Sequence, residues 1–298
     1  MQKGTVSEYR GVFLALIAFL VAFFVWQSQG LSFVTYPLRL FVTMIHELGH
    51  GLSAILTGGE FLRFEVSKRG AGLAYTRGGS RFVVIQAGYL GTAIFGAILL
   101  YLANRSKRPG PIAVGVGLFI GVLTLLFSGL SLSHLNVFEA ILTAGVIIVG
   151  SWLFLTRETD EGRYVGLGTL GAGVVMLLIF AGANNGLTIL IGLLSAVLLV
   201  VMGLRAPVEV TVFVLTLLAF LTGLQAITDS WTLLKIVSLP NSMIPNNDAS
   251  SMAREIGGSA GLWAILWIAG DAVLFGTSVY LTFVGPARRG ELPPAQRT

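Results

Sequence analysis

The sequence contains no cysteine, which excludes disulfide bonds and thiolate metal ligands. Charged residues are also scarce, since they make up 11% of the 298 residues, whereas soluble domains carry roughly a quarter. Hydrophobic residues make up 55%. Apolar runs of about 18 residues or more recur along the chain, and each is long enough to cross the hydrocarbon core of a bilayer. The sequence therefore predicts an integral membrane protein.

The net charge of +5 does not indicate a nucleic-acid partner. Most basic residues lie in short loops beside apolar runs, where membrane topology and anionic lipid headgroups account for them. No basic stripe with interleaved aromatic residues is present. The predicted partner of this surface is the lipid bilayer, and no nucleic acid is expected.

Eight or nine membrane spans are predicted, because residues 164–204 fit either two helices or one irregular element. The first apolar run has no small-residue cleavage site after it, so it is interpreted as an uncleaved span rather than a signal peptide. The segments lie near 11–27, 36–57, 80–103, 109–128, 135–155, 164–182, 185–204, 207–228 and 259–284.

Residues 60–77 break the helical pattern and predict a β-hairpin. Apolar Leu62, Phe64 and Val66 alternate with polar residues, and a glycine-rich turn follows at 68–72. The predicted fold is an all-α membrane protein, a polytopic transmembrane helical bundle with this small hairpin. Residues 1–285 form a single multi-pass domain, and the polar tail 286–298 is expected to be disordered.

The distribution of basic residues predicts that the C-terminal tail is cytoplasmic. Basic residues fall in alternate loops, at 105–108, 157–163, 205 and 288–289, and cytoplasmic loops are rich in Lys and Arg. Counting back from the tail, with every span crossing, places the N-terminus and the basic residues of the hairpin outside. This conflicts with the same rule, because Lys3 and Arg10 lie at the N-terminus. We therefore expect one early element not to be a simple crossing, and the segment around the hairpin is the candidate.

The string His46-Glu47-Leu48-Gly49-His50 lies inside the second apolar segment. Residues four apart share one face of a helix, so His46 and His50 can present two imidazoles to one metal ion. Zinc accepts nitrogen ligands and keeps an open position for water in catalytic sites. Glu47 projects beside the pair, where it can take a proton from a water whose pKa zinc lowers to about 7. Two of the three histidines in the chain lie in this motif, and such polar groups in an apolar span are costly unless functional.

An HExxH motif within a transmembrane helix resembles the site-2 protease family of intramembrane zinc metalloproteases. The string from His46 to Gly59, and the later Ala87-Gly88-Tyr89-Leu90-Gly91, are similar to its compact branch without a PDZ domain. The resemblance implies one Zn²⁺ per chain, His46 and His50 as ligands, and Glu47 as the catalytic acid/base. It also implies a bacterial plasma membrane as the location.

The family's third ligand is an aspartate on a later segment, often in an LDG motif that this sequence lacks. Asp248, followed by Ala249, looks like the aspartate-alanine element of the compact branch, with Trp263 and Trp267 downstream. Its structural alternative is a helix cap or turn residue. Asp229 is the fallback ligand, Asp271 has a structural or proton-linked alternative, and Asp160 is most simply a solvated charge.

His134, in a short loop, is a further candidate ligand whose alternative is an exposed or hydrogen-bonded histidine. The hairpin either pairs with an extended substrate strand or only shields the site, and the substrate-binding residues are unknown. Gly88, Gly91 and Gly96 are interpreted as close-packing positions rather than a phosphate loop.

The predicted function is hydrolysis of peptide bonds in membrane-embedded protein substrates by a zinc-activated water. One alternative is a membrane transporter that handles metal ions or protons, in which polar groups would be spread over several spans. Another is a proteolytically silent binding scaffold, against which the presence of Glu47 argues. The sequence does not specify the substrate, the cleavage position or the oligomeric state.

Overall fold

The computed structural model describes residues 10–27, 32–131, 135–181, 185–238 and 246–289. Its elements in chain order are α1 (Arg10–Gln27), α2 (Ser32–Leu56), β1 (Glu60–Val66), β2 (Gly72–Arg77), α3 (Arg81–Arg105), α4 (Pro109–Phe127), α5 (Val137–Thr156), α6 (Asp160–Ala181), α7 (Gly186–Arg205), α8 (Val208–Val237), α9 (Asp248–Glu255), α10 (Ala260–Val279), a π-helical turn (Tyr280–Val284) and α11 (Gly285–Arg288).

Seven helices within these ranges are long and apolar enough to cross a membrane, namely α3 to α8 and the continuous helix from Ala260 to Arg288. α1 adds a shorter apolar stretch, Ala15–Phe24, and α2 has 25 residues. The predicted all-α membrane bundle with one small hairpin is confirmed. The segment 164–204, which fitted one or two elements, contains parts of two helices, since α6 ends at Ala181 and α7 begins at Gly186.

Two predicted boundaries differ from the structure. α8 continues to Val237, beyond the predicted end near residue 228. Asp229 accepts a hydrogen bond from the side chain of Gln225, one turn earlier, so the polar residue is accommodated without ending the helix. At the other boundary, residues 286–288 of the predicted disordered tail are helical, because α11 continues the same helix after the π-helical turn.

The hairpin strands β1 and β2 are antiparallel, with Phe64 opposite Ala74. A register irregularity lies between Phe61 and Arg63, so Phe61 and Phe64 are both buried while Leu62 is 51% exposed. The strict alternation that placed Leu62 on the buried face is therefore wrong, because a β-bulge shifts the period of two by one residue.

The hairpin lies along α2, and hydrogen bonds to α2 fix the position of its turn. The Tyr36 hydroxyl donates to the carbonyl of Lys68 over 3.0 Å, and the Thr43 hydroxyl donates to that of Gly70 over 2.9 Å. At the opposite end, the Thr57 hydroxyl accepts from the amide of Ser80 over 2.9 Å. The chain therefore enters and leaves the hairpin at the C-terminal end of α2, while the turn reaches its N-terminal half. The hairpin adds no crossing.

α3 packs against α2, α8 and α10, and small residues allow the close approach. A Cβ at Gly96 would lie 3.0 Å from the carbonyl oxygen of Ala219 on α8. Further along the same interface, the buried side-chain amide of Asn104 donates to Thr216 over 2.9 Å. α3 thus connects the helix that carries the HExxH motif to the C-terminal part of the chain.

Candidate metal centre

His46 and His50 lie on one face of α2, one turn apart. Their ring centroids are 4.8 Å apart and their planes cross at 74°. Apolar residues beside and within the motif keep the segment buried, since Ile45 before it is 5% exposed and Leu48 inside it is 2% exposed. The local helix therefore produces the two-imidazole arrangement that the motif predicts.

Asp248 reaches the two histidines from a distant part of the chain. It is the first residue of α9, and the side chain of Asn247 caps this helix by accepting from the amide of Ser250 over 2.9 Å. The cap position itself belongs to Asn247 and not to Asp248. The helix start therefore leaves the Asp248 carboxylate available for another role.

The ligand atoms of His46, His50 and Asp248 all lie within 4.8 Å of one another. The Nε2 atoms of the two histidines are each 3.6 Å from Oδ2 of Asp248, which is longer than a hydrogen bond. Two ligand atoms at the usual distance of about 2.1 Å from a tetrahedral zinc are roughly 3.4 Å apart. The donor set, and the spacing of the aspartate oxygen from each imidazole nitrogen, therefore fit a zinc ion.

Gly88 on α3 leaves the space between these ligand atoms open. A Cβ at this position would lie 2.6 Å from Cε1 of His46, and it would collide with Nε2 of both histidines. Any residue other than glycine would therefore occupy the position in which an ion contacts the imidazoles.

A backbone carbonyl orients one imidazole. Nδ1 of His50 lies 2.7 Å from the carbonyl oxygen of Val84 on α3, so the ring donates from Nδ1 and keeps Nε2 free as a metal ligand. On the other side, the His46 ring contacts the ring of Tyr89 edge to face at 4.7 Å. Tyr89 in turn stacks on Trp267 of α10 at 4.8 Å. Both imidazoles are thus held by α3.

The charge state of Asp248 suits metal binding. Burial raises the pKa of its carboxyl, but interactions with His46 and His50 outweigh burial and hold that pKa well below its usual range. The group is therefore ionised at neutral pH, which is the form that binds a metal.

Glu47 is buried, with 5% of its surface exposed, and is not among the three grouped ligands. The backbone amide of Ala74 in β2 is a hydrogen-bond partner of its carboxylate. Gly72 allows this approach, because a Cβ there would lie 2.6 Å from Cγ and Cδ of Glu47. The hairpin therefore positions the carboxylate beside the metal ligands.

A cavity of about 200 Å³ connects these groups, with polar and charged side chains along much of its wall. The described residues that line it come from α2, β2, α3 and α9, namely Glu47, His50, Gly72, Leu73, Ala74, Thr76, Arg81, Val84, Ile85, Asp248 and Ser251. It has room for several water molecules or a short extended segment of a peptide.

The family model described as Peptidase M50B-like matches residues 15–170 and 144–278, which together cover most of the chain. The chain belongs to this family. The predicted resemblance to the site-2 protease family, whose members are zinc metalloproteases, is thereby confirmed, and membership supports a membrane-embedded protease. Neither the curated proteins nor the solved structures gave a match.

The other candidate ligands of this Peptidase M50B-like chain do not join the group. Asp229 is a hydrogen-bond partner of Gln225, Asp271 accepts from Ser230 over 2.8 Å inside the α8–α10 interface, and Asp160 is exposed at the start of α6. His134 lies outside the described residues. The assignment of Asp248 rather than Asp229 as the third ligand stays a prediction. The position of Asp248 beside the two histidines favours this assignment.

Three contributors to the Peptidase M50B-like site were missed or misinterpreted in the sequence. Gly88 is a close-packing position as interpreted, but the groups that it packs against are the two histidines, and that part was missed although the similar string Ala87–Gly91 pointed to its neighbourhood. Gly72 was considered only as part of a turn. Val84 acts through its carbonyl oxygen, and a backbone group leaves no signal in the identity of the residue.

Proposed function

We propose that this protein hydrolyses peptide bonds of membrane-embedded proteins at a single zinc ion held by His46, His50 and Asp248. The observation that carries the proposal is the convergence of these three ligand atoms within 4.8 Å, with Glu47 lining the same cavity. A zinc-binding scaffold or transporter would need the ligands but would have no use for a free carboxylate at that position.

Bound zinc would polarise the scissile carbonyl and lower the pKa of a water in the cavity. Glu47 accepts the proton of that water and passes it to the leaving amine. Burial and the amide of Ala74 hold the carboxylate in one place, and the carbonyl of Val84 keeps His50 in the ligating orientation. Each of these contacts lowers the reorganisation needed during the reaction.

The substrate segment would bind in extended form along β2. β2 pairs with β1 on one side, and residues 72–74 and Thr76 line the cavity on the other. An unwound segment of a membrane protein could add to this edge through its main chain, which gives affinity with little dependence on sequence. The hairpin would thus have two roles, because it would bind the substrate and also position Glu47.

The basic loops support an orientation with the C-terminal tail in the cytoplasm. The family resemblance implies that the membrane is a bacterial plasma membrane. The hairpin accounts for part of the earlier conflict in orientation. Its turn, with Lys68 and Arg69, lies beside the N-terminal half of α2, and therefore toward the face opposite to the strand ends.

Glu47→Gln tests the proposal, because the amide keeps the shape of the side chain but does not accept the proton. We expect the purified variant to retain about one zinc per chain, measured by mass spectrometry of the metal, while cleavage of a transmembrane reporter falls by about 10²–10⁴-fold or more. His46→Ala is the matched variant that should lose the metal. Full proteolysis by Glu47→Gln would refute the mechanism, and full zinc loading of His46→Ala would refute the ligand assignment.

A further inference from the structure

The cavity of the metal centre extends away from Glu47 toward the N-terminus of α3. Arg81, Val84 and Ile85 line it from one face of that helix. Arg81 precedes Val84, whose carbonyl holds His50, by three residues, or about 4.5 Å along the helix axis. Arg81 therefore lies within the cavity but beyond the reacting groups.

Arg81 is the one Lys or Arg among the described residues that line this cavity. Its guanidinium is 3.7 Å from a carboxylate oxygen of Glu255 at the end of α9, and the two side chains are 49% and 48% exposed. An ion pair so open to solvent contributes little to stability. A carboxylate that enters the cavity can therefore replace Glu255 as the partner of Arg81.

The length of β2 gives the distance along a bound substrate strand between the scissile bond and Arg81. Gly72 contacts Glu47, and Thr76 lines the cavity four residues later, which corresponds to about 13 Å of strand. Residues 78–80 then lead directly into Arg81. In a strand bound along β2 with its scissile bond level with Glu47, the residues up to about four positions from that bond would extend toward the guanidinium of Arg81.

We propose that Arg81 forms a subsite for a carboxylate of the substrate, on the segment between the scissile bond and the mouth of the cavity. Guanidinium groups bind carboxylates through two parallel hydrogen bonds, which favours this anion over neutral side chains. The carboxylate is either an Asp or Glu side chain or a free C-terminus. This inference rests on the proposed proteolytic function and adds a preference in substrate charge.

The test uses synthetic transmembrane peptides in detergent micelles, identical except for Glu, Gln or Lys at each of the four positions on either side of the cleaved bond. A further pair has a free or an amidated C-terminus close to that bond. We expect wild-type protein to prefer one Glu position over its Gln counterpart by about twofold to fivefold in kcat/KM, as for a solvent-exposed ion pair. Arg81→Glu should reverse the preference in favour of Lys at the same position, and Glu255→Gln should strengthen the preference for Glu.

Arg77→Glu is the matched control. Arg77 also forms an ion pair on the hairpin, with Glu60, but its side chain is 72% exposed and it does not line the cavity. The Glu-to-Gln ratio should stay at the wild-type value in this variant. Equal cleavage of all peptides by the wild type, or an unchanged ratio in Arg81→Glu, would overturn the subsite. A preference that follows the free C-terminus alone would assign the subsite to terminal carboxylates.

A binding measurement separates this inference from the proposed function. Fluorescent versions of the peptides are titrated against zinc-loaded Glu47→Gln protein, which should bind without cleaving. Charge-dependent binding that disappears in Arg81→Glu, combined with no cleavage by the wild type, would support the subsite and refute proteolysis. Cleavage without any charge preference would support proteolysis and refute the subsite.

Discussion

Replacing Gly88 with alanine tests the geometry of the metal centre through one added methyl group. The new Cβ would lie 2.6 Å from Cε1 of His46 and closer still to the two Nε2 atoms. Non-bonded carbon contacts settle at about 3.5–4.0 Å, so the imidazoles would have to retreat by about 1 Å. Zinc–ligand distances tolerate only about 0.2 Å. We expect the zinc affinity to fall at least about 100-fold, or about 2.7 kcal/mol.

Gly91→Ala is the control for this substitution. It adds the same methyl group to the same helix, where the nearest atom to the new Cβ would be Cα of Gly49 at 3.6 Å, an ordinary contact. Its zinc affinity should stay within about threefold of the wild type. Zinc affinity is measured by competition with a chromophoric chelator, and circular dichroism checks the helix content of both variants. Equal zinc affinity in the two variants would show that the ligand atoms do not converge at Gly88.

Three further predictions follow from contacts in the structure. Gly72→Ala should lower proteolysis about 100-fold or more while zinc content stays near one per chain, because the methyl group would lie 2.6 Å from Cγ and Cδ of Glu47. Proteolysis at the wild-type rate, or a loss of zinc, would contradict this role. Asp248→Asn should weaken zinc affinity, since an amide oxygen is a poorer zinc ligand than a carboxylate, whereas Asp229→Asn should not; the reverse result would move the third ligand to Asp229. Accessibility tags after Arg108, Arg163 and Arg289 should all report the cytoplasmic face, and a tag on the other face would overturn the predicted orientation.

The sequence predicts those parts of the site that depend on local geometry. His46 and His50 share a face because any helix brings residues four apart together, so the motif and the apolar residues around it suffice. Asp248 joins them only through the packing of α9 against α3 and α10. No local pattern encodes that contact, and the resemblance to a known family was needed to select this aspartate from the four in the chain.

The differences from expectation have separate physical causes. Leu62 faces outward because a bulge interrupts the alternation of β1. α8 is longer than its apolar run because Gln225 satisfies Asp229 within the helix. Gly88 and Gly72 matter through the volume that they leave open, and that role becomes visible only when the opposing helix or strand is in place.

The order of segments along the chain has a consequence for biosynthesis. Insertion of the chain as far as α8 provides His46 and His50, but it provides neither the proposed third ligand on α9 nor helix α10, which packs against α9. On the proposed ligand set, zinc capture must wait until α10 has entered the bilayer and α9 has docked. The nascent polypeptide would therefore remain inert beside the translocon, where many unfolded membrane segments pass, and would become a protease only after its own insertion.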